Sequence, residues 1–168
     1  MTYLSRYRVY QIISQEWLPA VQSQSQNQNH KLRIRSWNIG TLTGKAMEMV
    51  DVMIRRKINI MCLQETRCVG KKAKNLSESV YKIWYTGNDR AKNGVGIIMD
   101  KSLVDEVVDV KRIGDRIIMV KVGLRRMTMN IFSIYAPQAG LSEEIKAKLW
   151  KDIERLIQMI SRGEKVII

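Results

Sequence analysis

Apolar and polar positions change period several times along the chain, and each change marks an element. Leu32, Ile34 and Ser36 alternate with Arg33, Arg35 and Trp37, a period of two that predicts a strand. A Gly/Thr-rich turn over Gly40–Gly44 follows. Ala46, Met49, Val50, Met53 and Ile54 then recur at helical spacing, with Glu48, Asp51, Arg55 and Arg56 around the other face. Ile58–Leu63, apolar except for Asn59, has the length of a strand buried on both faces. The first folded unit is therefore expected to be strand–helix–strand.

Short β-favouring runs fill the middle: Tyr81–Tyr85, Val95–Met99, Glu106–Val110, Arg116–Val122 and Met127–Tyr135. Turn-forming groups separate them at Gly87–Gly94, Ile113–Asp115 and Gly123–Arg126. Ser142 is placed to cap a second helix whose first turn carries Glu143 and Glu144. Its apolar stripe is Leu149, Ile153, Leu156, Ile157 and Ile160, and Gly163 is the expected stop. Val166–Ile168 opens another core strand. The central connections are too short for crossover helices, so the expectation is an α/β sandwich with mainly antiparallel sheets. Residues 1–30 stand apart. Gln22–His30 is a polar low-complexity tract, and 1–30 is expected to be a disordered arm preceding one domain over 31–168.

Composition narrows the function. Lysine and arginine total 29 against 16 acidic residues, a formal +13, which points to a polyanionic partner and favours nucleic acid. Membrane partners are disfavoured, because there is neither a long apolar run nor a basic amphipathic helix with an aromatic face. Lys71, Lys72 and Lys74, with Arg90 and Lys92, are candidate phosphate-contacting loops. Two cysteines, Cys62 and Cys68, form neither a disulfide framework nor a zinc cluster. Cys62 is expected to be a small buried hydrophobe, and a reducing intracellular compartment is the default. The single histidine, His30, lies in the polar tract and is given no catalytic part.

Three short motifs fall at strand ends: Ser36-Trp37-Asn38-Ile39-Gly40, Leu63-Gln64-Glu65-Thr66-Arg67 and Ile134-Tyr135-Ala136-Pro137-Gln138. Glu65 leaves a buried strand directly, where a carboxylate can anchor a hard cation such as magnesium or pair with Arg67 on the surface. Asn38 could donate to a phosphate or simply shape a turn. Tyr135 could offer its hydroxyl to a phosphate or serve as an interior aromatic.

Taken in order, W-N-I-G, L-Q-E-T-R, N-G-V-G-I and I-Y-A-P-Q resemble the endonuclease/exonuclease/phosphatase family over residues 31–168. The likeness is greatest to the apurinic/apyrimidinic-type endonuclease domains of non-LTR retrotransposons, a group that includes craniofacial development protein 2-like proteins. The resemblance implies a DNase I-like four-layer α/β sandwich and magnesium- or manganese-dependent nicking of DNA, with an intracellular location that includes the nucleus. It implies that Asn38 lies near the scissile phosphate, Glu65 binds the metal, Tyr135 contacts the phosphate and Arg67 meets the DNA backbone. Gly40 stands where some repair members carry an acidic residue. The family's G-D-x-N motif would follow a strand such as Val166–Ile168, and its Asp and Asp-His elements would come later still. The sandwich is therefore expected to be incomplete and, without a general base, inactive as given. Losing such a base typically costs about 10²–10⁴-fold in rate. A non-catalytic basic protein or retroelement remnant that binds nucleic acid is the alternative. A phosphatase acting on inositol lipids or another small phosphoester is a third reading.

Overall fold

The structure is a computed structural model that describes residues 9–10, 32–76, 80–137 and 140–168. The strand–helix–strand unit forms as its periodicity predicts: β2 (Ile34–Asn38), α1 (Ala46–Arg56) and β3 (Ile60–Gln64). β2 and β3 are parallel, with Asn38 opposite Gln64, so both strands end on the same side. β4 (Gly70–Leu76), β5 (Tyr81–Gly87) and β6 (Val95–Asp100) complete a first sheet in the order β2-β3-β6-β5-β4. The short helix α2 (Lys101–Val104) leads into β7 (Val107–Ile113), β8 (Ile117–Leu124) and β9 (Met127–Ile134), an antiparallel meander. Helix α3 (Glu143–Gln158) then crosses over to β10 (Lys165–Ile167), which lies parallel to β9. The second sheet runs β1-β10-β9-β8-β7, where β1 is Val9–Tyr10, paired parallel to β10. The parallel neighbours β2/β3 and β9/β10 are thus the two pairs joined through helices, as crossover geometry requires.

Alternation along the strands divides the core into three slabs. Met61 and Leu63 of β3 meet Met49, Val50 and Met53 of α1. Ile60 and Cys62 point the other way, into a layer shared with Ile118, Val120 and Ile131 of the second sheet. Ile117, Met119 and Phe132 pack on Leu149, Ile153, Leu156 and Ile157 of α3. The result is four layers, helix–sheet–sheet–helix. Cys62 is the buried small hydrophobe expected of it, and desolvation pushes its thiol pKa up to about 12.

Several expectations change. Lys71, Lys72 and Lys74 do not sit on a loop. They belong to β4, whose seven residues pair without a break against β5 at the exposed edge of the first sheet. Their side chains are exposed, and charge on an edge strand discourages pairing with another chain. Arg90 and Lys92 do lie in the exposed connection after β5. Ser142 occupies the N-cap of α3 but makes no side-chain capping bond. Helix α3 ends at Gln158, and Gly163 instead supplies a positive-φ turn before β10. Within the arm expected over 1–30, only Val9–Tyr10 fall among the described residues; the Gln22–His30 tract and Gln138 lie outside them.

Candidate functional site

Asn38, Glu65 and Tyr135 end or follow three strands from two sheets, and the fold brings them together. The register of β2 on β3 sets Asn38 beside the exit of β3, where Glu65 follows. Tyr135 comes from β9 in the opposite sheet, and a polar bridge aligns the two sheets behind it. Ser133 is buried; its Oγ donates to the Leu63 carbonyl at 2.9 Å and accepts from Gln64 Nε2 at 3.1 Å. Gln64 Oε1 in turn accepts from Ser36 Oγ at 3.1 Å. Hydroxyls and an amide in an otherwise apolar layer satisfy one another here, which is the condition for burying them.

Glu65 is the hub. Its Oε1 accepts from Asn38 Nδ2 at 3.1 Å and from the Tyr135 hydroxyl. Asn38 is oriented by the Gly40 N–H, which donates to its Oδ1 at 3.2 Å. The Oε2 atom faces the Arg67 guanidinium at 3.7 Å, a loose pairing because the Arg67 side chain is 41% exposed. The surface ion pair weighed from sequence is therefore the lesser contact. The Tyr135 hydroxyl, then the Asn38 amide, holds the Glu65 carboxyl below its ordinary range; partial burial opposes them and Arg67 adds to them.

The backbone around Glu65 is unusual. Both Glu65 (φ 55°) and Arg67 (φ 52°) are left-handed, a conformation that persists for such residues only where surrounding bonds over-determine it. Those bonds come from several directions. The Ile39 N–H donates to the Gln64 carbonyl at 3.0 Å and the Leu42 N–H to the Thr66 carbonyl at 2.9 Å. The Thr66 N–H donates to the Gly94 carbonyl at 3.0 Å, and the Arg67 N–H to the Asn93 carbonyl at 2.9 Å. Position 94 must be glycine, because a Cβ there would come within 2.6 Å of Thr66 Oγ1. Tyr135 is held from the β7–β8 turn. Its N–H donates to the Arg116 carbonyl at 2.9 Å, and Arg116 Nη1 donates back to the Tyr135 carbonyl at 3.2 Å. The Arg116 guanidinium also lies 5.2 Å from the Tyr135 ring centre.

Sequence reasoning does not single out Gln64, Ser133 or Arg116 as site residues. A serine inside the apolar run of β9 is the one visible signal; Arg116 resembles any polar strand entry. Glu65 supplies the hard anionic oxygen that magnesium favours, and a low carboxyl pKa keeps it charged. One carboxylate with water and phosphate oxygens is within the usual magnesium set. Among the described residues no group of three or more His, Cys, Asp or Glu side chains converges.

No family model matches the chain. Two curated relatives are craniofacial development protein 2 from Bos taurus and from Tragulus javanicus, each 22% identical over 137 residues. The match covers 80% of this chain but only 23% and 24% of theirs, so the chain spans about a quarter of these relatives. Among solved structures, a 3'-5' exonuclease from Neisseria meningitidis superposes with a TM-score of 0.61 at 18% identity, covering 80% of this chain and 55% of that one. D. rerio TDP2 complexed with a single strand DNA product gives 0.58 at 15%, covering 82% and 59%. An AP endonuclease from Archaeoglobus fulgidus gives 0.53 at 21%, covering 77% and 52%. Together with the four layers, these likenesses show that the chain has an α/β, DNase I-like fold.

Proposed function

We propose that the chain grips a DNA phosphodiester and a divalent cation, as the substrate-holding part of a metal-dependent nicking reaction of the retrotransposon type. The observation that carries this reading is the convergence of Asn38 and Tyr135 on one carboxylate oxygen of Glu65, with Arg67 beside the other. The names of the solved neighbours, an exonuclease, an AP endonuclease and a DNA-product complex, support DNA as the polyanion. Motifs shared with retrotransposon endonucleases support the nicking class.

Glu65 would hold magnesium or manganese, which when bound supplies Lewis-acid stabilisation of charge on phosphate. The chain's own groups divide the remaining work. Tyr135 and Asn38 are hydrogen-bond donors that keep the Glu65 carboxylate oriented and can turn toward a phosphate oxygen. Arg67 is half-exposed and left to pair with backbone phosphate. A carboxylate held low in pKa is a poor proton acceptor, so Glu65 suits ligation better than water activation. The water-activating base is none of these four residues, and nicking by this chain alone should be slight.

The test is duplex-DNA binding and supercoiled-plasmid nicking, each with and without Mg²⁺, for the chain and for Glu65→Gln. The expected result is Mg²⁺-strengthened binding that Glu65→Gln abolishes, with little nicking. Equal Mg²⁺ stimulation in both proteins would sink the metal assignment, and brisk Glu65-dependent nicking would overturn the expectation of slight activity. The spread of positive charge, +13 overall with Lys71, Lys72 and Lys74 exposed along β4, favours a second reading of a non-catalytic nucleic-acid binder. That reading predicts binding indifferent to both Mg²⁺ and Glu65.

A further inference from the structure

The β7–β8 turn does more than join two strands. Its Asp115 belongs to the second sheet's connection, yet it reaches the 93–94 turn that precedes β6 in the first sheet. Asp115 Oδ2 accepts from Asn93 Nδ2 at 2.8 Å, and the Asp115 carbonyl accepts from the Gly94 N–H at 3.0 Å. Beside it, the Gly114 carbonyl accepts from the hydroxyl of buried Thr86 at 2.7 Å, which pins the same turn to β5. Asn93 and Gly94 are both left-handed, at φ 59° and 88°. In that conformation their carbonyls receive the N–H groups of Arg67 and Thr66, the two residues after Glu65.

A continuous chain of hydrogen bonds therefore runs from Asp115 through Asn93 and Gly94 to the backbone that carries Glu65. Asparagine tolerates the left-handed region better than most residues, but its side chain is used here as a tie and not as a solvated turn residue. Groups that orient a ligating residue commonly matter nearly as much as the ligand itself. We propose that Asp115 and Asn93 are positioning residues that clamp the Glu65 loop and so set the carboxylate toward Asn38 and Tyr135. This inference builds on the assignment of Glu65 as the cation ligand.

Three variants test it: Asp115→Ala, Asp115→Asn and Asn93→Gly. Asp115→Asn keeps an acceptor oxygen for Asn93. Asn93→Gly removes the tie while easing the left-handed backbone, so it should fold. The first readout is amide hydrogen exchange followed by NMR, which needs no metal. Exchange at Thr66 and Arg67 should quicken roughly tenfold in Asp115→Ala and Asn93→Gly, with β3 and β6 core amides unchanged and Asp115→Asn near wild type. The second is the affinity for Mn²⁺ alone, measured from its electron paramagnetic resonance signal. It should fall about tenfold or more in the two disrupting variants and recover in Asp115→Asn. Unchanged exchange at Thr66 and Arg67 in both disrupting variants would overturn the clamp, as would Mn²⁺ affinity that ignores them while Glu65→Gln still weakens it. If Glu65→Gln leaves Mn²⁺ binding intact while exchange responds as expected, the cation assignment falls and the clamp on the loop stands.

Discussion

Glu65 shows how a single side chain acquires a character that its neighbours in sequence do not supply. Its nearest charged neighbour in sequence, Arg67, contributes least to its low pKa; Tyr135, seventy positions away, contributes most. The consequence can be measured. A group whose folded pKa is depressed adds stability above its unfolded value and loses that contribution as pH falls through the folded one. Wild type should therefore exceed Glu65→Gln in urea stability above the ordinary value of 4.5, and the gap should close as the pH drops below it. A gap that widens on acidification would show that the carboxyl is held protonated instead. Asn38, Glu65 and Tyr135 could be picked out from sequence because each falls at a strand end within a motif, and the order of those motifs resembles one family. Asp115 and Arg116 could not, because what they touch is distant in sequence and, for Asp115, lies across the two sheets. Asn93 falls within the N-G-V-G-I motif and Ser133 stands out only as a serine in an apolar run, and the sequence gives neither a part in the site.

At the scale of elements, the two long helices and the buried strands were legible from their apolar patterns, whereas the four-residue helix α2 is too short to show a period. Helix α3 carries its apolar stripe to the second sheet as the spacing requires. Ile153 on that stripe is buried, so Ile153→Ala should lower stability by about 2–5 kcal/mol in urea denaturation. A loss under about 1 kcal/mol, below the usual range for such a truncation, would mean that α3 contributes little to holding the second sheet. Strand β4 was not legible. Gly70-Lys71-Lys72-Ala73-Lys74-Asn75-Leu76 has neither alternation nor β-branched residues, and it becomes a strand because β5 offers it a complete backbone ladder. Pairing can impose extended structure on a sequence with little preference for it, since β propensity depends heavily on context.

The whole molecule combines a four-layer sandwich with a strong positive charge, and under the proposed function that charge should govern how it meets DNA. Affinity should fall linearly on logarithmic axes as salt rises, because each neutralised phosphate releases counterions. Replacing Lys71, Lys72 and Lys74 together with glutamine should flatten that slope by about 0.9 for each phosphate that is no longer neutralised. An unchanged slope in filter-binding or anisotropy titrations would confine these lysines to guarding the sheet edge.

By itself the sequence determined the period of each buried element, the strand ends that carry the candidate side chains, and the motif order that resembles one phosphodiesterase family. Those features are local, written in spacings of two or of three to four residues. Tertiary structure decided that the ends of β2, β3 and β9 meet, that Tyr135 and Asn38 share one oxygen of Glu65, and that a turn in the second sheet holds the backbone of the first. Such contacts span up to seventy positions. No local pattern specifies them; they exist because two sheets must bury their facing apolar sides against each other, and that packing sets which strand ends become neighbours.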